Sequence, residues 1–158
     1  METAVDQLKK GLTAAFIDKG VYSGESYRPQ LVLNNHKLGQ KVLTSLETEL
    51  NNCDEFFISV AFITMSGITP LLQTLQELEA DGVKGKIITT DYLSFSEPAA
   101  LEKLNSFRNI ELKFYCAGDR GFHTKGYIFR RGEEYRIIVG SANLTKCAAK
   151  PLPSGMGI

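Results

Sequence analysis

The chain has 158 residues, of which 43% are hydrophobic and 23% charged, and its 18 basic side chains balance 18 acidic ones. This composition is typical of one globular domain with its own core and excludes an intrinsically disordered chain. No run of 18 apolar residues occurs and the N-terminus lacks a signal-peptide pattern, so we expect a cytoplasmic protein without a membrane-spanning segment.

The charge of the chain is unevenly distributed along its length. Residues 99–158 carry ten basic and five acidic side chains, a balance of +5, whereas residues 55–98 carry two basic and six acidic ones, a balance of −4. A basic segment suits an anionic partner such as nucleic acid, although a chance excess on a solvated surface would give the same count.

The three cysteines, Cys53, Cys116 and Cys147, stand far apart and form no CxxC pair. A zinc site requires clustered thiolate or imidazole ligands. We therefore predict free thiols, no metal site and no cofactor.

The first 51 residues contain two helical patterns. Apolar residues at helical spacing predict a helix over residues 1–20. An irregular stretch follows, with a short predicted strand at residues 30–33, and a second apolar stripe predicts a helix over residues 38–51.

The middle of the chain predicts strands separated by helices. Residues 55–64, EFFISVAFIT, are almost all apolar, which predicts a central strand covered on both faces. Ser66 is the expected N-cap of a helix that runs to about Ala80, and KIITT at residues 86–90 is the next buried strand.

Ser96 and Pro98 open another predicted helix to about Phe107, and residues 110–116 form a third strand. Strands that alternate with helices are typical of a parallel sheet with covering helices. With a further hairpin at its end, the chain predicts an α/β fold whose mixed, largely parallel β-sheet is flanked by helices on both faces.

That hairpin is predicted from two strand-like segments, HTKGYIFR and EYRIIVG, joined by RRGEE. Strand alternation places His123 and Lys125 on one face. Hairpin pairing brings them to the sheet edge at which the second strand ends and Gly140, Ser141 and Asn143 follow.

These residues suit a phosphate group. Lys125 supplies a positive charge, and Ser141 and Asn143 supply neutral hydrogen bonds. Gly140 leaves room for the backbone to approach a ligand, and the imidazole of His123 can act as nucleophile or general acid. Each residue alone is commonplace, as a solvated lysine or a strand end before an N-cap, so the interpretation depends on their joint spacing.

HTK followed by GSAN resembles the HxK…GSxN signature of the phospholipase D-like phosphodiesterases. The phrases KVLTSLETELNNCDEFFISVAFITMSGI, LQELEADGVKGKIITTDYLSFSEPAALEKL and IIVGSANLT are similar to the phospholipase D-like domain at the N-terminus of certain bacterial superfamily II DNA helicases and restriction-associated proteins. The resemblance covers about residues 27–148 and implies a single phospholipase D-like domain over residues 1–158, as the N-terminal part of a longer protein.

The resemblance implies hydrolysis of DNA phosphodiesters without metal, through a phosphohistidine. A chain with one motif resembles members that build one active site across a homodimer, where two copies of His123 would meet and Lys125 and Asn143 would bind the phosphate. The implied partners are DNA, a second copy of the chain and a linked helicase domain, with no membrane. We interpret His36, the other histidine, as a surface residue.

Two features depart from the family pattern. Arg130 stands where many members have an aspartate, and residues 144–158 contain no acid where many carry a glutamate that orients the histidine. Four acids stay open as substitutes for that glutamate, namely Glu111, Asp119, Glu133 and Glu134.

The departures support an alternative hypothesis. The chain would then be a catalytically weak or inactive module that binds nucleic acid or dimerises a DNA helicase or restriction protein. A nucleotide-binding fold is disfavoured, because FITMSGITP after the first strand lacks a Gly-rich phosphate loop.

Overall fold

The computed structural model describes residues 41–116 and 121–145, together with residues 3, 5, 6, 30, 32, 34 and 118. The chain divides into two compact units, residues 1–42 and 43–158, and the site described below belongs to the second. The helix predicted over residues 1–20 lies almost entirely outside the described residues, as do His36 and half of the strand predicted at residues 30–33.

Within the described residues, five strands form one mixed sheet with the first of them at its centre. They are β1 (Glu55–Val60), β2 (Lys84–Thr90), β3 (Ile110–Tyr115), β4 (Lys125–Arg131) and β5 (Glu134–Val139). Their order is β3-β2-β1-β4-β5, in which β1–β2 and β2–β3 are parallel pairs and β1–β4 and β4–β5 are antiparallel pairs. The predicted mixed α/β fold is confirmed.

Helices connect the parallel strands, as the alternating pattern predicts. α1 (Val42–Leu50) precedes β1. α2 (Met65–Ile68) and α3 (Leu72–Ala80) join β1 to β2, and α4 (Pro98–Asn105) joins β2 to β3, with single 3-10 turns at Thr69–Leu71 and Tyr92–Ser94. α1 is the described part of the helix predicted over residues 38–51.

The helix predicted from Ser66 to Ala80 begins earlier and is interrupted. Thr64 is the N-cap, since its hydroxyl accepts a hydrogen bond from the backbone N–H of Gly67 at 3.2 Å, so the prediction of Ser66 is wrong. Pro70 lies where α2 passes through the 3-10 turn into α3, because proline has no N–H to donate to a continuous helix.

β1 has one buried face and one half-buried face. The side chains of Phe56, Ile58 and Val60 are at most 4% exposed, and each such burial stabilises the fold by about 1.5–3 kcal/mol. Phe57 lies on the opposite face and is half-buried. The buried face ends at Val60, which pairs with Lys125 at the start of β4.

Gly85 provides a test of this packing, because it lies in β2 opposite Phe56 of β1. A Cβ at Gly85 would overlap the Phe56 ring, which has no exposed surface. We therefore expect Gly85→Ala to lower the free energy of unfolding by about 1–3 kcal/mol in denaturant titrations. Gly126→Ala is the matched control, because a Cβ at this strand position meets no atom within 4 Å. An equal loss in both variants would contradict the packing argument.

Candidate functional site

The predicted site residues meet at the edge of the sheet where β1 ends and β4 begins. Lys125 is the first residue of β4 and pairs with Val60, the last residue of β1. The backbone N–H of Gly140 donates to the carbonyl oxygen of Lys125 at 3.2 Å, so the chain after β5 returns to the same place. The hairpin therefore brings the His123 and Gly140 segments together, as the spacing predicts.

Lys125 and His123 contact each other directly. The ammonium Nζ of Lys125 lies 2.7 Å from Nδ1 of His123 and donates to the backbone carbonyl of His123 at 2.9 Å. An ammonium has no lone pair, so a protonated Lys125 makes Nδ1 the acceptor and leaves the proton of a neutral imidazole on Nε2. The contact thus favours one tautomer of His123.

The Lys125 side chain is buried, with 7% of its surface exposed, whereas His123 is exposed. Burial lowers the pKa of Lys125 below its ordinary value, because apolar surroundings disfavour the charged form. Nζ also lies 5.9 Å from the centre of the Phe62 ring, a cation–π distance that offsets part of the lost hydration. The site therefore contains a positive charge that the fold holds at a cost in stability.

Phe62, two residues after the end of β1, connects the two halves of the site. Its ring lies 5.6 Å from the His123 ring in an edge-to-face arrangement. Its backbone N–H donates to Oδ1 of Asn143 at 3.2 Å. The NH2 group of that amide therefore points away from Phe62 and can act as a donor to another group. Sequence reasoning missed Phe62, although its place just past the carboxyl end of a central strand, where ligands bind in open α/β sheets, is a usable signal.

Two more aromatic residues, Tyr92 and Phe95, lie beside Phe62 on the segment between β2 and α4. The Tyr92 ring lies 6.1 Å from the His123 ring and 6.5 Å from the Phe62 ring. The Phe95 ring meets Phe62 edge-on at 5.2 Å and is 60% exposed. Aromatic rings thus line one side of His123, and sequence reasoning missed them because a loop has no periodicity to mark them.

Asn143 lies in a segment that is fixed on both sides. Before it, the carbonyl of Ala142 accepts a hydrogen bond from the Tyr127 hydroxyl at 2.7 Å, and burial raises the pKa of Tyr127, which keeps this donor protonated. After it, the carbonyl of Leu144 accepts from the N–H of Thr64 at 2.9 Å. The place of Asn143 therefore depends on the sheet and on the start of α2.

Gly140 and Ser141 lie at the exposed end of the hairpin. A Cβ at Gly140 would meet no atom within 4 Å, so packing within the chain does not require glycine there. The predicted roles of both residues toward a phosphate stay predictions.

Three of the four acids considered as partners of His123 lie at the opposite edge of the sheet. Glu111 is near the start of β3 and pairs with Lys113 at 3.1 Å. Glu133 lies in the turn that joins β4 to β5 and Glu134 is the first residue of β5, so both are the full length of β4 away from its first residue. Asp119 lies outside the described residues. Among the described residues, the group that contacts Nδ1 of His123 is the ammonium of Lys125.

A family model described as "Cardiolipin synthase, PLD-like domain" matches residues 46–151, which is more than half of the chain. The matched range begins in α1 and contains all five strands and the whole candidate site. A search of curated proteins finds no match. Across the described residues, no helix combines the length and apolar character needed to cross a bilayer.

The lowered pKa of Lys125 predicts a measurable cost in stability. A base whose pKa in the folded state lies below its value of about 10.4 in the unfolded state destabilises the fold while it is protonated. This destabilisation disappears as the pH rises from the folded-state pKa to the unfolded-state pKa. We therefore expect Lys125→Met to unfold at a higher temperature than the wild type at neutral pH, by about 2–4 °C for each kcal/mol removed. Calorimetry at increasing pH should show this gain shrinking.

Lys113→Met is the matched control for that experiment, because the Lys113 side chain is 65% exposed. Removal of an exposed lysine should change the unfolding temperature little at any of these pH values. A destabilised Lys125→Met at neutral pH, or equal shifts in both variants, would contradict the cost assigned to Lys125.

Proposed function

The chain belongs to the phospholipase D-like family, and from that membership we propose that it is a metal-independent phosphodiesterase that hydrolyses DNA, with one active site shared across a homodimer. Membership indicates phosphodiester-hydrolysing or phosphodiester-transferring chemistry. The observation that carries the proposal is the convergence of an imidazole, an ammonium and an amide at one sheet edge, from His123, Lys125 and Asn143.

In the first step, the lone pair on Nε2 of His123 attacks the phosphorus of the phosphodiester. The P–N bond forms as the P–O bond to the leaving alcohol breaks, and the leaving oxygen takes a proton from His123 of the partner subunit. Lys125 and the NH2 group of Asn143 stabilise the charge on the non-bridging oxygens. The products of this step are a phosphohistidine and a free alcohol.

In the second step, water releases the phosphoryl group. The partner subunit's His123 takes a proton from the water, whose oxygen attacks phosphorus as the P–N bond breaks. The electron pair of that bond returns to His123 and a phosphomonoester leaves. Both imidazoles regain their starting protonation states, and one water is consumed for each bond hydrolysed.

The histidine count supports the dimeric site. One imidazole cannot attack phosphorus and protonate the leaving group in the same step, and among the described residues the site holds one histidine, His123. His123 is exposed at the sheet edge, where a second copy can reach it. A two-fold axis beside His123 would give each imidazole one of the two roles.

Lys125 offers a way to control these roles. While it donates to Nδ1 of His123, the ring is neutral with its proton on Nε2. This form is neither the nucleophile nor the leaving-group acid, because the acid is an imidazolium that is protonated on both nitrogens. The nucleophile needs the opposite tautomer, with the proton on Nδ1. An anionic phosphate would attract the Lys125 ammonium away from Nδ1 and allow the ring to change tautomer, so substrate binding itself would prepare the nucleophile.

The choice of DNA rests on charge. The last third of the chain, residues 99–158, has a balance of +5 from ten basic and five acidic side chains and contains His123, Lys125 and Asn143. The family model's description names a lipid enzyme, so anionic phospholipid is the substrate class to compare with DNA.

The second candidate is a module of a DNA helicase or restriction protein that binds nucleic acid or dimerises, with weak or no catalysis. The positions of Glu111, Glu133 and Glu134 favour it, because none of them orients His123.

We expect His123→Ala to lower the hydrolysis of labelled DNA in EDTA by about 10³-fold or more, since it removes both nucleophile and acid. His123 is exposed, so the variant should keep the fold, which circular dichroism can check. When wild type and variant are mixed at a fixed total concentration and exchange subunits, the activity should fall as the square of the wild-type fraction. Only dimers of two wild-type subunits contain both imidazoles. Unchanged activity in the variant, or none in the wild type, would exclude the enzyme and leave the binding module.

We expect the affinity for DNA to fall as the pH rises through the lowered pKa of Lys125, because only the ammonium binds a phosphate. Lys125→Arg should bind DNA up to a higher pH, since a guanidinium stays protonated. Lys125→Ala should weaken binding by about tenfold at neutral pH in fluorescence anisotropy. The same affinity in Lys125→Ala and wild type would refute the assignment of the phosphate to Lys125.

A further inference from the structure

The segment between β2 and α4 exposes apolar side chains next to the site. Leu93 is 59% exposed and Phe95 is 60% exposed. Leu93 and Ser94 also have positive φ angles of 58° and 51°, in a region that residues other than glycine rarely adopt. Both the backbone strain and the exposed apolar surface of this segment raise its free energy. Strained backbone and exposed apolar patches are typical of ligand-binding sites.

The aromatic rings of this segment are arranged around Phe62, and we call Phe62, Tyr92 and Phe95 the aromatic wall. Tyr92 is nearly parallel to Phe62, with 10° between the ring planes, and stands edge-on to His123 at 6.1 Å. Phe95 is nearly perpendicular to Phe62, at 83°. The wall therefore places two rings next to the imidazole, and the ring of Phe95 remains accessible to a ligand.

We propose that Tyr92 and Phe95 form a subsite that stacks an unpaired nucleobase of the strand whose phosphate lies at His123. The inference rests on the proposed function and deepens it, because it assigns single-stranded or locally unpaired DNA as the substrate class. A base is one sugar away from its phosphate, so a wall in contact with the catalytic imidazole stands at the position of a neighbouring base. Stacking on aromatic side chains is sequence-tolerant, since every base has a π-face.

The charges around the wall favour a base over a lipid. Phe95 is followed two residues later by the exposed Glu97, whose carboxylate accepts a hydrogen bond from the backbone N–H of Met65. An anchor in an anionic bilayer surface needs basic residues beside its apolar ones, and anionic headgroups would repel this carboxylate. A strand of DNA can instead place its phosphate at Lys125 and only its uncharged base against the wall.

The test compares two single strands of equal charge, oligothymidylate and an abasic oligomer of the same length. Binding is measured by fluorescence anisotropy with the full chain in the His123→Ala background, so that no hydrolysis occurs. Phe95→Ala should weaken binding of oligothymidylate by about tenfold and of the abasic oligomer by less than about twofold. Phe95→Tyr should keep the wild-type preference for bases.

Tyr135→Ala is the matched control, because Tyr135 is an aromatic residue of equal exposure, 59%, at the far end of the hairpin. It should leave the affinity for both oligomers unchanged. The proposal is overturned if Phe95→Ala weakens both oligomers equally, if Tyr135→Ala has the same effect, or if oligothymidylate does not bind. It is also overturned if Phe95→Ala weakens binding to phosphatidylglycerol vesicles more than to oligothymidylate, which would identify a lipid surface.

The outcomes separate this inference from the proposed function. If the wild type hydrolyses no DNA but Phe95→Ala selectively loses oligothymidylate, the enzyme is excluded and the base subsite stands. If hydrolysis requires His123 but the wild type binds and cleaves both oligomers equally well, the enzyme stands and the base subsite is excluded.

Discussion

The contact between the buried ammonium of Lys125 and the imidazole of His123 is the interaction on which the rest of the site depends. It is possible because Lys125 begins β4 directly beside the end of the central strand, with the ring of Phe62 against Nζ. A buried charge costs stability unless hydrogen bonds and neighbouring groups compensate it. Here part of that compensation comes from the two hydrogen bonds to His123 and from the ring of Phe62. In the proposed mechanism the same positive charge binds the phosphate.

The second half of the site depends on a close approach of backbone to backbone. Leu144, next to Asn143, packs against α2 where the chain has Gly67, and a Cβ on Gly67 would overlap the Leu144 carbonyl. The Thr64 N–H then donates to that carbonyl, and the Phe62 N–H donates to Oδ1 of Asn143. The turn from β1 into α2 therefore positions the amide as firmly as the hairpin positions the lysine.

Sequence patterns predict the sheet because burial leaves a mark on each strand: the apolar run of β1 follows from its central place, and alternation with short turns gives the β4–β5 hairpin. Hairpin spacing also predicts that His123 and Gly140 share an edge. The same patterns miss Phe62, Tyr92 and Gly67, since their importance comes from neighbours more than 30 residues away in the chain or on loops without periodicity. The N-cap differs by two residues because Ser66 and Thr64 both carry a hydroxyl that can cap a helix, and the hydrogen bond to Gly67 forms at Thr64.

The central claim, attack of His123 on phosphorus, is tested most directly by trapping the intermediate. Wild-type protein is mixed with single-stranded DNA and the reaction is quenched in alkali, because a phosphoramidate bond is stable there. The protein is then digested with a protease and its peptides are analysed by mass spectrometry. The account predicts a peptide containing His123 whose mass is raised by a phosphoryl-linked nucleotide, and loss of that adduct when the sample is acidified. Turnover of DNA with no adduct at His123, or with an adduct on another residue, would contradict it.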